Sequence, residues 1–243
     1  MHLAVVILAA GQGTRMKSDL PKVLHEAAGR SLVEHVIGAV APLEPEHVVV
    51  VTGYKAEEVE EALQGEHVQF ARQHEQLGTG HALLQTKELL RDFDGAVMVL
   101  NGDGPLLQTE TLERLVQTQE DSGAGMTLVT CDVSDPQGLG RIIRHEDGSV
   151  AKIVEEKDAA DEERQIHEIN PGIYIFDRSV FEIAEGLGSD NAAGEYYITD
   201  LVDLYLQAGR KVQAVKAEDE TEILAVNDRE QLAAVERILQ ARG

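Results

Sequence analysis

A glycine-containing loop with two nearby cations is the feature of this sequence best suited to hold phosphate groups. The segment Gly11-Gln12-Gly13-Thr14-Arg15 follows an apolar run, and Lys22 comes seven residues after Arg15. Glycines let a backbone turn tightly and present its N–H groups to an anion, and Arg15 and Lys22 add two permanent positive charges. A Gly-x-Gly pair alone is more often an ordinary tight turn, but with these cations the segment can hold a triphosphate. It is neither a Walker A loop, because no Gly-Lys-Ser/Thr follows, nor a dinucleotide fingerprint, because Met16 replaces the third glycine.

The charge of the chain limits the partners that it can bind. Its 243 residues carry 44 acidic and 21 basic side chains, which gives a formal net charge of -23. Residues 1–25 are the exception, with three basic groups against one acid, so an anion is favoured there. The chain lacks the clustered Lys and Arg that a nucleic acid or an anionic membrane surface requires. We therefore expect no nucleic-acid partner and no membrane partner.

The elements that must position the loop are short apolar runs alternating with longer amphipathic segments. This pattern is typical of helices that cover both faces of a mostly parallel sheet. Strands are predicted at 2–8, 47–52, 67–71 and 95–100. Helices are predicted at 31–42, 55–64, 79–91 and 109–121, where polar and apolar residues alternate at helical spacing. The first half is thus predicted to be a doubly wound α/β core, whose first strand leads directly into the glycine loop.

The second half predicts a mixed extension of the sheet. After Gly123, a β-rich run is followed by two more that flank Glu146-Asp147-Gly148, which is a hairpin signal, and then by a polar loop or short helix at 156–168. The remaining predicted elements are a strand at 169–176, helices at 178–186 and 195–208, a strand near 211–216 and a last helix at 228–242. No internal repeat or Pro-rich linker occurs, which favours one compact domain. The last helix carries an apolar stripe that must pack on some surface, formed by Leu232, Val235, Ile238 and Leu239.

Cysteine usage and the N-terminal run indicate a compartment. Cys131 is the single cysteine, so no disulfide can form within the chain, and we expect it to be a buried small hydrophobe. The apolar run from Leu3 to Ala10 is too short to cross a bilayer, has no basic residue before it and ends in a glycine turn instead of a cleavage site. We therefore expect a cytoplasmic protein.

Several motifs occur together in an order that resembles a known family. They are Leu8 to Met16 with Pro21-Lys22, Gln73 to Ala82, Gly102-Asp103-x-Pro105-Leu106, Gly138-x-Gly140-Arg141-Ile142, Glu168-Ile169-Asn170 and Asn191 to Asp200. The first is similar to the signature of sugar-phosphate nucleotidyltransferases. The whole set resembles the uridyltransferase domain of the bacterial bifunctional N-acetylglucosamine-1-phosphate uridyltransferase / glucosamine-1-phosphate acetyltransferase family. The resemblance covers nearly the whole chain and implies a Rossmann-like, doubly wound mixed sheet of the nucleotide-diphospho-sugar transferase type, with a C-terminal helix.

The resemblance implies a nucleotide site made from three parts of the chain. Backbone contacts to the nucleotide are implied for Leu8, Ala9, Ala10 and Gly11, and phosphate contacts for Gly13, Thr14, Arg15 and Lys22. Reading of uracil is implied for Gln73, Gly78 and Thr79. The site is completed by Gln76, Asn101, Gly102 and Asp103. An amide suits a pyrimidine edge because it offers both a donor and an acceptor. Taken alone, Gln73 and Gln76 would be interpreted as solvated residues before a helix. Arg15, Lys22 and Asp103 are the predicted catalytic residues.

The resemblance also implies a Mg2+ site formed by Asp103 and Asn227. Asp103 follows a buried strand, at the carboxyl edge where open α/β sheets bind ligands, and carboxylate and amide oxygens suit the hard Mg2+ ion. Each residue has another interpretation, since Asp103 could be a turn former or helix cap and Asn227 could be the N-cap of the last helix. At Asn227 the cap and the metal ligand could coexist.

For the sugar, the family pattern indicates Gly140, Glu155, Asn170, Tyr197 and Thr199. A carboxylate and an amide suit the recognition of hydroxyl and N-acetyl groups. Glu155 lies in an acidic run that would otherwise be interpreted as a solvated loop, so the choice of Glu155 over Glu156 depends on the resemblance.

Three positions depart from the family pattern. Asn101 stands where the family has Tyr, Gly104 where it has Val, and Pro171 where it has Thr. We expect the first to alter a contact on the nucleotide side, the second to loosen the turn that carries the metal ligand, and the third to stiffen its loop. None of them removes a charge.

The reaction implied by the resemblance is a Mg2+-dependent transfer of UMP from UTP to N-acetylglucosamine 1-phosphate, giving UDP-N-acetylglucosamine and pyrophosphate. Two alternatives are a related nucleotidyltransferase for another base or sugar and a non-catalytic module that binds nucleotide sugars. The family continues into a left-handed β-helix that carries the acetyltransferase site and builds a trimer, whereas this chain stops at Gly243. The chain is then either a free-standing uridyltransferase or a piece of a longer protein. We predict a nucleotidyltransferase domain at 1–226 and a linking helix at 227–243, and assign neither acetyltransferase activity nor a trimer.

Overall fold

The central strand of the fold is an apolar run whose side chains are buried on both of its faces. The computed structural model describes residues 1–242, and β1 (Leu3–Ala9) lies in the middle of a parallel group with its neighbours on either side. Ala4 and Val6 point into one apolar cluster, and Val5 and Ile7 point into another. A strand that is apolar at every position must be covered on both faces, so helices are required above and below the sheet.

The sheet has ten strands among the described residues. Its order is β5-β4-β1-β6-β11-β7-β10-β8-β9, with β12 paired to β7. Strands β4 (His47–Thr52), β5 (Gln69–Arg72) and β6 (Ala96–Asn101) run parallel to β1, whereas β11 is antiparallel to β6 and β7. The remaining strands of this sheet are β7 (Met126–Asp132), β8 (Gly140–Arg144), β9 (Val150–Val154), β10 (Glu168–Asn170), β11 (Tyr174–Phe176) and β12 (Val212–Lys216). The predicted doubly wound mixed α/β sheet is confirmed.

Helices cover the two faces in two groups. One face is covered by α1 (Leu32–Val40), α2 (Ala56–Ala62) and α4 (Thr109–Ser122), and the other by α3 (Thr79–Leu84), α5 (Val180–Ala184) and α6 (Leu201–Gln207). Helix α1 begins one residue after the predicted start at 31, because Ser31 is its N-cap and forms a reciprocal capping box with Glu34. Cys131 is buried in the core, as expected. No helix within residues 1–242 is long and apolar enough to cross a membrane.

Helix α3 is shorter than predicted. The pattern predicted a helix over 79–91, but α3 ends at Leu84 and the chain continues in tight turns. Gln85 donates its amide to the carbonyl of His81, and Thr86 donates its hydroxyl to the carbonyl of Leu83. These side chains compete for the carbonyls that a longer helix would use, so the helical ladder stops.

One predicted strand is two strands in different places. The run 169–176 was expected to be continuous, but β10 pairs with β7 and β8, whereas β11 pairs with β6 and β7. Pro171 has no N–H to donate, and Gly172 has a φ of 80°, which breaks the extended run. The helix predicted at 195–208 also begins late, as a 3-10 turn at Ile198–Asp200 followed by α6.

Two short turns join antiparallel strands as hairpins. The turn predicted at Glu146-Asp147-Gly148 joins the antiparallel strands β8 and β9, so that prediction is confirmed. A small hairpin of β2 (Glu26–Ala27) and β3 (Arg30–Ser31) was not predicted. Its two-residue turn has positive φ at both Ala28 and Gly29, and Ala28 gives no sequence signal for that conformation.

The last helix packs on the loop side of the domain. Helix α7 (Arg229–Arg242) begins one residue later than predicted, and Gly243, the end of the segment predicted over 227–243, lies outside the described residues. Its predicted apolar stripe forms a third cluster with Met16, Leu32 and Leu106. The helix therefore contacts the glycine loop through Met16 and the turn after β6 through Leu106. The division into 1–226 and 227–243 stays a prediction.

Candidate active site

A cleft of about 300 Å³ opens at the carboxyl ends of β1 and β6. These two strands are parallel neighbours, with Leu8 opposite Asn101, so the loops that follow them leave the sheet at one edge. The segment after β5 closes the third side. Of the predicted nucleotide residues, the cleft brings together Leu8, Ala9, Ala10, Gly11, Lys22, Gln73, Gln76, Gly78, Thr79, Asn101 and Asp103.

The remaining predicted nucleotide residues lie beside the cleft. Gly102 donates its N–H to the Leu8 carbonyl at 2.9 Å, and a side chain there would lie 3.1 Å from that oxygen. Gly13 has a φ of 65°, and a Cβ at this position would lie 2.5 Å from the Cβ of Lys22. Thr14 and Arg15 are exposed, and the Arg15 guanidinium has no hydrogen bond or ion pair to any other residue of 1–242. The loop is thus folded around the stem of Lys22, with Arg15 available to an incoming anion.

Lys22, Asp103 and Asn227 meet at one end of the cleft. The Lys22 ammonium forms an ion pair with Asp103 Oδ2 and donates to Asn227 Oδ1 at 3.1 Å. The side chains of Lys22 and Asp103 are each only 15% exposed. A backbone hydrogen bond of 2.9 Å from Val226 N to the Asp103 carbonyl joins the two segments that carry the oxygen ligands. Lys22, predicted to contact phosphate, therefore contacts both residues that were predicted to bind Mg2+.

Asn227 is not the N-cap of the last helix, so that alternative is wrong. The carboxylate of Asp228 accepts from Gln231 N at 2.8 Å, which is the N-cap contact. The Gln231 side chain in turn accepts from Asn227 N at 2.7 Å. Because the neighbouring residue serves as the cap, the side-chain amide of Asn227 is left for the cleft.

The oxygen pair of Asp103 and Asn227 fits a small hard cation. Asp103 Oδ1 is buried and has no hydrogen-bond partner among the described residues. A carboxylate oxygen without a donor is costly to bury, and a cation would satisfy it. Within residues 1–242 no three His, Cys, Asp or Glu side chains are arranged to hold a metal ion. A metal at this pair would therefore take its other ligands from phosphate oxygens and water, which is the usual environment of Mg2+.

The segment after β5 presents a pair of amides. Gln73 is buried, and its NH2 group donates to the Gly78 carbonyl at 3.0 Å and contacts His81 Nδ1 at 3.0 Å. The Gly78 carbonyl thus uses one amide hydrogen, and the oxygen of Gln73 has no donor among the described residues. Gln76 donates to the Ala10 carbonyl at 2.7 Å. This contact supports the glycine loop from below, which is a structural role that the sequence did not indicate.

Glycines allow this segment to approach its neighbours. Gly78 has a φ of 108°, and a Cβ there would lie 2.6 Å from the carbonyl oxygen of Tyr196. The hydroxyl of Thr79 accepts from Ile198 N at 3.0 Å. The segment predicted to read the nucleotide is therefore attached directly to residues 196–198, which include the predicted sugar residue Tyr197.

A second cleft of about 350 Å³ adjoins the first and shares Thr79 and Glu195 with it. Glu155 and Tyr197 line this cleft. Thr199 is buried and donates its hydroxyl to Glu155 at 3.0 Å. Gly140 lies against the same carboxylate, since a Cβ there would be 3.5 Å from Glu155 Oε2. Four of the five predicted sugar residues thus lie around one carboxyl group.

Asn170 is placed differently. It lines neither cleft in the described part of the chain. Its amide donates to the Tyr174 hydroxyl at 2.7 Å and accepts from Gly172 N at 3.2 Å, so both ends of the amide are engaged within the protein. These contacts fix the turn between β10 and β11. Direct contact of Asn170 with a sugar stays a prediction.

The choice between Glu155 and Glu156 has a structural basis. Glu156 pairs with Arg141 at 2.8 Å, and Arg141 is only 2% exposed. Both residues line the second cleft, but Glu155 accepts from Thr199 and has no cation as a partner within residues 1–242. Burial, together with the nearby carboxylates of Asp200 and Asp158, raises the pKa of Glu155 above its ordinary value. Burial also raises the pKa of Tyr197 to about 12, so its phenol stays protonated at neutral pH.

The departures from the family pattern have simple structural outcomes. Asn101 lines the first cleft and donates to the Pro171 carbonyl at 3.5 Å. Gly172 lies so close to Asn101 that a Cβ there would overlap its amide. A Cβ at Gly104 would meet nothing within 4 Å, so this glycine is not required by its surroundings.

Sequence reasoning did not select several residues that build the site. Glu195 lines both clefts, and Val23 and Ala82 line the first. Arg229, on the last helix, donates to the carbonyls of Met16 at 3.1 Å and Lys17 at 3.3 Å and so holds the end of the glycine loop. Ala82 closes the motif Gln73 to Ala82, whereas Val23 and Arg229 carry no local signal for such roles, because they depend on contacts that are distant in sequence.

Comparison with known proteins gives one consistent result. The nucleotidyl transferase family matches residues 4–222 of this chain. "Bifunctional protein GlmU" of Pelotomaculum thermopropionicum is 50% identical over 243 residues, which is all of this chain and 53% of that protein. The protein of the same name from Lactobacillus delbrueckii subsp. bulgaricus is 46% identical over 100% of this chain and 52% of that protein. The one from Streptococcus gordonii is 47% identical over 98% of this chain and 52% of that protein. The chain thus spans about half the length of the curated relatives that it matches.

Proposed function

Because this chain belongs to the nucleotidyl transferase family, we propose that it transfers UMP from UTP to N-acetylglucosamine 1-phosphate, giving UDP-N-acetylglucosamine and pyrophosphate. The proposal rests on the contacts of Lys22 with Asp103 and Asn227. These residues lie at one end of the first cleft, at the carboxyl edge of the sheet, and we call this the phosphate end because we place the phosphates there. This apparatus suits a reaction between two polyanions.

The proposed chemistry is a direct displacement at phosphorus. A phosphate oxygen of the sugar phosphate forms a bond to the α-phosphorus of UTP, and the bond from that phosphorus to the bridging oxygen breaks, so pyrophosphate leaves. The attacking oxygen is already an anion at neutral pH, and no general base is needed. The task of the protein is to align the two substrates and to neutralise the charge between them.

The residues of the phosphate end divide this task. Lys22 would face the α-phosphate, and Arg15, which has no other partner within residues 1–242, would contact the departing pyrophosphate. Asp103 and Asn227 would hold Mg2+, which when bound adds positive charge next to the phosphates.

The uracil preference follows from the amide of Gln73. Its NH2 group donates to the Gly78 carbonyl and lies 3.0 Å from His81 Nδ1, so we place its oxygen against the base. Uracil offers an imino N–H to such an acceptor, whereas cytosine presents a lone pair at the same ring position. A lone pair facing the Gln73 oxygen would be repelled, which favours UTP over CTP.

The sugar side of the proposal is supported by the second cleft. Glu155 accepts one hydrogen bond from Thr199 and keeps a further oxygen for a sugar hydroxyl, and Tyr197 adds a phenol beside it. A buried carboxylate that is only partly satisfied is well suited to hydroxyl donors.

The test is an assay of pyrophosphate release with Mg2+ and a panel of substrates. UTP, CTP, dTTP and GTP are each paired with N-acetylglucosamine 1-phosphate, glucosamine 1-phosphate and glucose 1-phosphate. We expect the highest rate with UTP and the N-acetylated sugar. Lys22→Ala and Asp103→Ala should each lower that rate by at least about 100-fold.

Lys17→Ala provides a control of equal charge change, because Lys17 is exposed and has no side-chain partner in the described residues. It should retain most of the activity. A wild-type chain that releases no pyrophosphate with any pair, or a Lys22→Ala variant that keeps full activity while folded, would contradict the proposal. Binding of UDP-N-acetylglucosamine without turnover would indicate a non-catalytic module instead.

A further inference from the structure

The ammonium of Lys22 lies at the position that a metal ion would need. Its Nζ contacts Asp103 Oδ2 and lies 3.1 Å from Asn227 Oδ1, so one positive group bridges the two oxygen ligands. The contact is sheltered, because the side chains of Lys22 and Asp103 are each 15% exposed. In the free protein this pair of ligands therefore already has a cation.

The Lys22 ammonium and a divalent cation compete for Asn227 Oδ1, because the Asn227 side chain has a single oxygen and the ammonium already uses it. A Mg2+ ion bound at about 2.1 Å from both oxygens would lie within a few ångströms of the nitrogen that now bridges them. Two positive charges at that separation, in a partly desolvated cleft, repel strongly. The ammonium must leave Asn227 Oδ1 before a metal ion can bind both residues.

A bound nucleotide would give the Lys22 ammonium other hydrogen-bond partners. Its stem packs against Gly13 of the glycine loop, whose missing Cβ leaves room for it, and its Nζ reaches Asp103 and Asn227. The proposed position of the triphosphate is beside this loop, next to Arg15. Phosphate oxygens would give the ammonium new partners at the moment when they also complete the ligand shell of the metal.

We infer that Lys22 holds the Asp103–Asn227 pair in place of the metal in the free protein, and that a divalent cation enters only when a nucleotide draws Lys22 away. This inference rests on the proposed function for the identity of the nucleotide, but the competition itself concerns the free protein. Lys22 is then both a phosphate ligand and a positioning residue for the metal ligands. Nucleotide and metal bind with positive coupling, and by linkage each raises the affinity for the other.

The direct test is metal binding without nucleotide. Mn2+, a paramagnetic substitute for Mg2+, is titrated into the full 243-residue chain and its free fraction is followed by electron paramagnetic resonance. The wild-type protein should bind Mn2+ weakly at this site. Lys22→Met should bind it at least about tenfold more tightly, because the competing charge is gone. Adding Asp103→Asn to Lys22→Met should remove the gain, which assigns the new affinity to this pair.

Lys17→Met is the matched control, since it removes the same charge from the same region but leaves the Lys22 ammonium in contact with Asp103 and Asn227. It should change Mn2+ binding by less than about twofold, through screened long-range attraction alone. Circular dichroism melting curves establish whether each variant is folded. If Lys22→Met does not fold, Lys22→Gln takes its place in the titration.

Two results would overturn the inference: equal Mn2+ affinity of the folded Lys22 variants and the wild type, or an equal gain in Lys17→Met. Either could occur while the wild-type enzyme still releases pyrophosphate from UTP, so the proposed function would survive. Conversely, a gain confined to the Lys22 variants would support the inference even if the substrate panel revealed no turnover.

Discussion

Lys22 Nζ donates a hydrogen bond to Asn227 Oδ1 at 3.1 Å, although the two residues are 205 positions apart in the chain. The contact depends on a backbone link, because Val226 N donates to the Asp103 carbonyl and brings the C-terminal segment to the edge of the sheet. Arg229 adds a second link by donating to the Met16 carbonyl. The C-terminal segment thus completes a site that begins with the first loop of the chain.

The fit between Gly13 and Lys22 can be tested with Gly13→Ala. The added Cβ would lie 2.5 Å from the Cβ of Lys22, and alanine would have to adopt a φ of 65°. We expect a loss of stability of about 1–2 kcal/mol. We expect pyrophosphate release to fall by about tenfold or more, because Lys22 is displaced. Steady-state kinetics and urea denaturation measure the two effects.

Gly65→Ala is the control for this change, because a Cβ at Gly65 would meet nothing within 4 Å and no strained φ is involved. It should leave both activity and stability nearly unchanged. If Gly13→Ala behaves like Gly65→Ala, the close packing of the glycine loop on Lys22 is not important for the reaction.

Arg229→Ala tests whether the last helix supports the glycine loop. The side chain is exposed and donates to two loop carbonyls, those of Met16 and Lys17. We expect KM for UTP to rise by roughly 3- to 10-fold as the loop loses its anchor. The melting temperature should change little, because little apolar surface is lost. Arg237→Ala, which removes a hydrogen bond to Ala233 within the same helix, should have no effect on KM.

The structure brings together the residues predicted to contact phosphate and metal, and part of the reason is that their sequence signals are local. A buried strand followed by a glycine loop, and a second strand followed by Asp103, must leave the sheet at one edge when the strands are parallel. The position of Asn227 was predicted only through the family resemblance. Its release from the capping role depends on Asp228, the very next residue, and a single sequence offers both as caps.

Other features depend on long-range pairing that no local pattern contains. The residues Pro171-Gly172 were visible in the sequence, but the separation of 169–176 into strands with different neighbours depends on β6, β7 and β8. The side chains of Glu155 and Glu156 are chemically identical. They differ in role because Arg141 is buried beside one of them, which is a fact of tertiary packing.

The ion pair between Arg141 and Glu156 should be important for stability. Arg141 is 2% exposed, and its guanidinium also donates to the carbonyls of Leu139 and Arg164. Arg141→Met would leave these acceptors without a donor, so we expect a loss of about 2–4 kcal/mol. The midpoint and slope of urea denaturation measure this loss.

An exposed ion pair gives the comparison. Arg178 contacts Asp94 at 2.9 Å, but their side chains are 74% and 77% exposed. Arg178→Ala should therefore cost less than about 1 kcal/mol. Equal losses for Arg141→Met and Arg178→Ala would show that burial of the Arg141 pair does not determine its contribution.

Glu155→Gln should separate sugar recognition from stability. Its carboxyl group faces the second cleft and accepts from Thr199, so the amide should raise KM for the sugar phosphate by about tenfold and leave KM for UTP unchanged.

Burial raises the pKa of Glu155 above 4.5, so the folded protein binds its proton more tightly than the unfolded chain does. The resulting stabilisation is complete below pH 4.5 and is lost as the pH rises through the folded-state pKa. At about pH 7.5 the wild type must bury a charge that the variant lacks, and Glu155→Gln should melt at the higher temperature.

Glu163→Gln should show the opposite pH dependence. Hydrogen bonds from the Ala160 backbone and from Lys152 lower the pKa of Glu163, so this carboxylate stabilises the fold at neutral pH and loses that effect as the solution becomes acidic. Glu163→Gln should therefore melt below the wild type at neutral pH, and the difference should vanish in acid. Melting curves of both variants across this range test the assignment, because a general effect of removing one negative charge would shift the two variants in the same direction. If Glu155→Gln also melts below the wild type at neutral pH, the Glu155 carboxylate is stabilised by its surroundings, and its proposed role as a partly satisfied acceptor for the sugar is wrong.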